Sequence, residues 1–175
     1  MDQPKLAARQ CLLLCARSRF DVATGLESLL DQGIDWEELI ALGRRHGLLP
    51  LAYDRLRRQD GDPVPPEIMA RLQDSYYGHL ARNVRLQASL AEAVAALQGA
   101  GIEPIVLKGG ALAGTLYANP GLRPMGDLDL LVPTEAMEPA GAALSAIGFQ
   151  LARRLSAPME AFQARFGGGL EWVRQ

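Results

Sequence analysis

Through most of the first hundred positions, apolar residues recur at three- and four-residue spacing, the period of a helix lying on a core. Leu12, Leu13 and Ala16 form one stripe, and Val22, Leu26, Leu29 and Leu30 form a second after Asp21, a residue suited to a helix start. A third helix is predicted from Asp35, with Trp36, Leu39, Ile40 and Leu42 inward and a stop near His46-Gly47. Pro50 opens a short helix through Leu56, and the charged, turn-forming residues 57–66 make the best internal boundary. Residues 67–100 then run without proline, with Ile68, Leu72, Leu80, Val84, Leu86, Leu90, Val94 and Leu97 as apolar positions. They predict one long helix near 67–98, or two joined near Gly78.

At Gly99 the period changes. Ile102, Pro104, Ile105, Val106 and Leu107, flanked by Gly101 and Gly109, read as a buried central strand. Residues 111–117 read as a helix closed by Asn119-Pro120-Gly121, and residues 127–132 as a second strand. Thr134 is placed to cap a helix with Met137, Ala140, Ala143, Leu144 and Ile147 inward; Gly148 ends it. Residues 149–151 and 170–173 read as third and fourth strands. The predicted class is helix-rich α+β, with a helical region over residues 1–100 and an α/β core with a small mixed sheet over residues 101–175.

The chain has 175 residues, 49% of them hydrophobic, enough for one ordinary core or two small ones. A formal net charge of −2 creates no field that would gather nucleic acid or an anionic membrane non-specifically. The apolar run 11–16 is too short, and too soon followed by Arg17 and Arg19, for a secretory or spanning segment, so a cytoplasmic protein is expected. Cys11 and Cys15 share a helix face, a poor geometry for a disulfide and an incomplete zinc site, and read as small buried residues. His46, before Gly47, suits a helix end, where a cation meets the dipole favourably. His79 stands far from it in sequence, with no thiol nearby.

Two segments carry chemistry. In a strand, alternate side chains share a face and each residue advances the chain about 3.3 Å, so Asp127 and Asp129 would point the same way roughly 7 Å apart along the backbone. Two like charges there repel unless a cation is shared, and hard divalent ions such as magnesium take carboxylate oxygens together with substrate phosphates. A solvated acidic face on a half-buried strand is the alternative that the motif alone leaves open. The second segment, Lys108-Gly109-Gly110, lies where a strand turns into a helix. Free N–H groups and positive potential at a helix start favour an anion, glycines let a phosphate approach, and Lys108 opposes the dipole unless an anion is present. It is not a P-loop, since both the spacing and the Lys-Ser/Thr ending are missing.

A glycine turn after one strand and an Asp-x-Asp on the next together resemble the nucleotidyltransferase superfamily that includes DNA polymerase beta. More closely, Val106-Leu107-Lys108-Gly109-Gly110-Ala111-Leu112, Leu116-Tyr117 and Arg123-Pro124-Met125-Gly126-Asp127-Leu128-Asp129-Leu130-Leu131-Val132 resemble an uncharacterised bacterial nucleotidyltransferase family with a helical N-terminal region. The resemblance extends weakly to residues 36–51, including Arg45-His46-Gly47-Leu48-Leu49-Pro50. It implies a minimal nucleotidyltransferase core in residues 101–175. The implied reaction moves a nucleoside monophosphate from a nucleoside triphosphate to the hydroxyl of an acceptor, a small molecule, protein or RNA, and releases pyrophosphate. Asp127 and Asp129 would hold two Mg2+ ions, with Mn2+ as a substitute. Gly109 and Gly110 would face the triphosphate, and Lys108 or Arg123 would offset its charge; pairing of Arg123 with a nearby acid is an equal alternative.

Two departures bear on this reading. Gly110 stands where the wider superfamily usually has serine, which removes one hydroxyl contact to phosphate. The superfamily's third carboxylate comes from a later strand, and Glu171 between Leu170 and Trp172 is the best candidate; the closer family often has a histidine in a Glu-Leu-His-Trp-like run that is not found here. Relatives usually continue beyond this point, so a C-terminally shortened core is expected. A catalytically impaired nucleotide- or metal-binding regulatory module is the alternative function, and a helical interaction protein that docks through residues 67–100 is a third.

Overall fold

The computed structural model describes residues 2–17, 22–117, 119–152, 156, 158, 162 and 169–174, and for residues 22–24 the backbone alone. Among them lie seven α-helices and four strands of two or three residues, a helix-rich α+β protein as the pattern predicts. The chain divides into two compact units, Met1–Arg85 with Ala111–Asp127, and Leu86–Gly110 with Leu128–Gln175. No described helix is long and apolar enough to cross a membrane.

The first unit is built on α1 (Gln3–Ala16), α2 (Val22–Asp31), α3 (Trp36–His46), α4 (Leu49–Leu56) and the first part of α5 (Pro66–Gly99). Their apolar stripes close over one core that contains Ala8, Cys11, Leu12, Leu26, Leu39, Ile40, Leu56, Ile68 and Leu72. On α1 the inward row is Ala8, Cys11, Leu12 and Cys15; Leu13 and Ala16, predicted inward, are exposed because each lies about 100° round the helix from a buried neighbour, Leu12 and Cys15. Both cysteines are free and buried, as expected, and the hydrogen bond with Cys11, followed by burial, pushes the Cys15 thiol far up, so it stays protonated. Asp21, the expected start of α2, lies outside the described residues, as does the side chain of Val22.

Capping explains the helix limits. Asp35 accepts a hydrogen bond from the Glu38 N–H, 3.0 Å, and starts α3. Gly47 ends it in the left-handed region at φ 66°, with the N–H of Leu48 returning to the Gly43 carbonyl at 2.8 Å. The same device recurs at Gly101, φ 75°, after α5, where the Ile102 N–H reaches the Leu97 carbonyl. Gly148, φ 89°, repeats it after α7 (Met137–Ala146), with the Phe149 N–H on the Leu144 carbonyl. Thr134, by contrast, does not cap: a single 3₁₀ turn, Thr134–Ala136, precedes α7, and Pro133 with its extended backbone occupies the cap position.

The predicted mixed sheet resolves into two separate antiparallel pairs, β1 (Ile105–Leu107) with β2 (Asp129–Leu131), and β3 (Gln150–Leu151) with β4 (Trp172–Val173). A mixed sheet needs at least three strands, and among the described residues neither ladder gains a third. With one neighbour, β1 is not a buried central strand, and Ile105 is 59% exposed. In the second unit the core lies between the end of α5, β2 and α7: Leu97, Ile102 and Ala140 are buried, with Leu130, Val132, Ala143 and Leu144 packed on them. Trp172 packs on α7 at Gly141, where a Cβ would come within 3.1 Å of the indole.

Two glycines test the helix packing. A Cβ at Gly43 would overlap the Leu49 side chain, so Gly43→Ala should cost about 1–3 kcal/mol by forcing α4 away from α3. Gly78, inside α5 with nothing within 4 Å of its Cβ position, should gain roughly 0.5–1 kcal/mol as Ala. Urea unfolding followed by far-ultraviolet circular dichroism distinguishes the two; a neutral Gly43→Ala would overturn the close approach.

Candidate functional site

At the end of the segment Leu86–Gly110 of the second unit, β1 passes directly into the first three residues of α6 (Lys108–Thr115), with no residue between them. The change of direction is absorbed by Lys108, whose φ of 47° is left-handed, a conformation that costs a non-glycine residue about 1–2 kcal/mol. Lys108, Gly109 and Gly110 thus form the first turn of the helix, where N–H groups have no partner within it. Gly110 is needed for packing: a Cβ would meet Val106 Cγ1 at 3.0 Å, with Leu128 and Leu90 at 3.5 Å. Serine at this position would press on Val106, whose methyl would have to give by a few tenths of an ångström.

The register sets Asp129 opposite Leu107, next to this turn, and Lys108 Nζ donates to Asp129 Oδ1 at 2.9 Å. Asp129 is half-buried and the lysine head exposed, so this surface pair is worth about 0–1 kcal/mol and is easily exchanged. The predicted strand 127–132 is shorter than expected. Leu107 is the last residue that β1 offers for pairing before the chain turns at Lys108, so Asp127 has no partner and precedes the ladder. The alternation argument therefore does not govern its side chain, which belongs to the first unit and is exposed.

Also in the first unit, residues 119–126 are tied down from α5. Asn119 accepts from the Gly121 N–H at 2.8 Å and starts the single turn Pro120–Leu122, and Gly121 lies where a Cβ would meet the Tyr76 ring at 2.8 Å. Asn83, fully buried, donates its amide to the carbonyls of Pro120 at 2.5 Å and Arg123 at 2.6 Å. Arg82 donates to the Gly126 carbonyl at 2.9 Å. Arg123 donates to the Tyr117 hydroxyl at 3.3 Å and its guanidinium lies 5.6 Å from that ring's centre; no acid pairs with it among the described residues.

Glu171 immediately precedes β4; its carbonyl accepts from the Ala152 N–H at 2.8 Å and its side chain is exposed. Among the described residues, no three His, Cys, Asp or Glu side chains gather so as to hold a metal. Arg174 anchors this strand on α5, donating to Ser89 at 3.1 Å, pairing with Glu92 and stacking on Phe149 at 4.7 Å. Asn83 and Arg82 were missed from sequence, yet Asn83 carries a signal. It replaces an apolar residue on the inner stripe of α5, while Val84, predicted inward, is 52% exposed, and a buried amide demands partners.

The sequence profile of a family described as an uncharacterised nucleotidyltransferase matches residues 32–171. The chain belongs to that family. No curated protein and no solved structure matches it. Membership supports a general role in nucleotidyl transfer and implies a nucleoside triphosphate as substrate. For this nucleotidyltransferase family member the match runs from the residue after α2 through the β1–α6 turn and the Asp127–Asp129 segment to Glu171.

Asn83→Ala removes both donors from the loop that precedes Asp127 and should lower stability by about 1–3 kcal/mol, read from urea unfolding. Asn83→Asp, of the same shape, turns the donors into an acceptor that faces two carbonyls and should cost more; equal stability of all three proteins would remove Asn83 as the anchor.

Proposed function

We propose that this protein transfers a nucleoside monophosphate from a nucleoside triphosphate to an acceptor hydroxyl, in the cytoplasm, with Asp127 and Asp129 as ligands of divalent metal. The observation that carries the reading is the Lys108–Asp129 pair at the first turn of α6: cation, carboxylate and the N–H groups of a helix start stand together. The donor chemistry fits a hard ion, since carboxylate oxygens suit magnesium and the Lys108 pair is weak enough to exchange. Magnesium, or manganese in its place, would offset phosphate charge and polarise the α-phosphate.

On this reading Lys108 leaves Asp129 for a phosphate oxygen when substrate arrives, and the N–H groups of Gly109 and Gly110 cradle the triphosphate. Arg123 supplies a further positive charge, held by Tyr117. The acceptor oxygen forms a bond to the α-phosphorus as the bond to the bridging oxygen breaks; pyrophosphate leaves with that electron pair, and the acceptor proton passes to Glu171 or to water. The acceptor is a small molecule, a protein or RNA. A second reading, a binding module with impaired catalysis, is favoured by the exposure of Glu171 and by the lack of a third metal-holding side chain among the described residues.

The test is titration of the protein with each nucleoside triphosphate, with and without magnesium. Wild type should bind at least one in a magnesium-dependent way, and Asp127→Ala with Asp129→Ala should abolish that dependence. Lys108→Ala should weaken binding about 10–100-fold, the worth of one charge-assisted hydrogen bond to phosphate. Binding that magnesium does not alter, or that the double variant keeps, would sink the proposal. Pyrophosphate release from wild type but not from Glu171→Ala, at equal nucleotide affinity, selects the enzyme over the binding module.

A further inference from the structure

Within the first unit, a cavity of about 450 Å³ opens between α3, the start of α4 and the first part of α5. That volume falls within the range of small-molecule sites, about 300–1,000 Å³. Ile40, Leu49 and Pro50 supply its apolar wall. Its polar wall has two sources: Arg44 on α3, and Arg71, Asp74, Ser75 and His79 on α5. The spacing of these α5 residues puts them on one side of the helix over two turns, and Arg44 follows Ile40 by one turn.

The cavity exists because of the segment around Gly47, part of the family resemblance that nucleotide binding leaves unexplained. Gly43 lets Leu49 approach α3, and Gly47 turns the chain sharply so that Pro50 follows at once. Around the opening, Arg71 is held bidentately by Glu37, so much of its charge is already met. Arg44 is exposed and forms no ion pair among the described residues. Ser75 and His79 are half-buried in the wall. Burial, and then the charge of Arg82, hold the His79 imidazole below its usual pKa, so at neutral pH it is an uncharged hydrogen-bonding group. A guanidinium, a hydroxyl and an imidazole beside apolar side chains match an oxyanion on a small, partly apolar molecule, and Asp74 is the one lining carboxylate that opposes it.

We propose that this cavity is a binding site for a small organic oxyanion, a phosphate or carboxylate carried on an apolar body, with Arg44 as its principal charge partner. The site is independent of the nucleotide reading and stands or falls separately.

The chain has two histidines, so His46→Asn, at an exposed position outside the cavity, leaves His79 as a lone imidazole reporter. In that background, without magnesium, phenyl phosphate, benzoate and inorganic phosphate are titrated while the His79 ring resonances are followed by nuclear magnetic resonance. Saturable shifts with phenyl phosphate or benzoate, tighter than with inorganic phosphate, are expected, and the tighter of the two names the head group. Arg44→Ala should raise the dissociation constant about tenfold or more, by loss of a charge-assisted bond, and Asp74→Asn should lower it several-fold. Lys5→Ala, an equal charge change on α1, should leave it alone. Circular dichroism confirms folding, which the exposed position of Arg44 favours. Shifts that stay linear with concentration, or an Arg44→Ala protein that binds like its parent, would overturn the proposal.

Discussion

The structure depends on the inner stripe of α5. At 34 residues this helix is about 51 Å long, far more than any one small core can cover. Its first part gives Ile68 and Leu72 to the core of the first unit, and its last turns give Leu97 to that of the second. In the stretch of the stripe that belongs to the first unit, the sequence places Asn83, fully buried, in place of an apolar residue. A buried amide without partners is costly, so Asn83 binds the carbonyls of Pro120 and Arg123 and Arg82 binds that of Gly126. The loop that leads to Asp127 is thus held by the helix through hydrogen bonds as well as through the packing of Gly121 on Tyr76 and Leu80.

The turn from β1 into α6 is the other constraint. A chain that goes from strand to helix without a linker must reverse its backbone in one residue, and glycine would do so without strain. Lys108 does it instead, in the left-handed region, although glycines occupy the next two positions. A strained non-glycine persists where the surroundings over-determine it. Here the strained residue places its ammonium group on Asp129. Gly110 is glycine for a different reason, the closeness of Val106. Two residues of one short motif are therefore fixed by opposite needs, a charged side chain at one and the lack of any side chain at the other.

What could be read from the sequence followed the range of the interaction involved. Helix ends are set by contacts within about five residues, and Asp35, Gly47 and Gly148 were all legible in advance. The strand-to-helix turn at Lys108-Gly109-Gly110 was legible because it lies within a few residues of chain. Strand extent was not, since a strand is only as long as the partner it pairs with: β1 ends at Leu107, and this removes Asp127 from β2 although the 127–132 pattern is continuous. Burial on helices was legible to within one position, and the errors at Leu13 and Val84 are both one-residue rotations about the helix. At Val84 the rotation hid what mattered most, because the residue that points inward beside it is Asn83. A pattern that counts only apolar positions skips a buried polar residue, although such a residue, obliged to find partners, says more about the tertiary structure than the leucines around it.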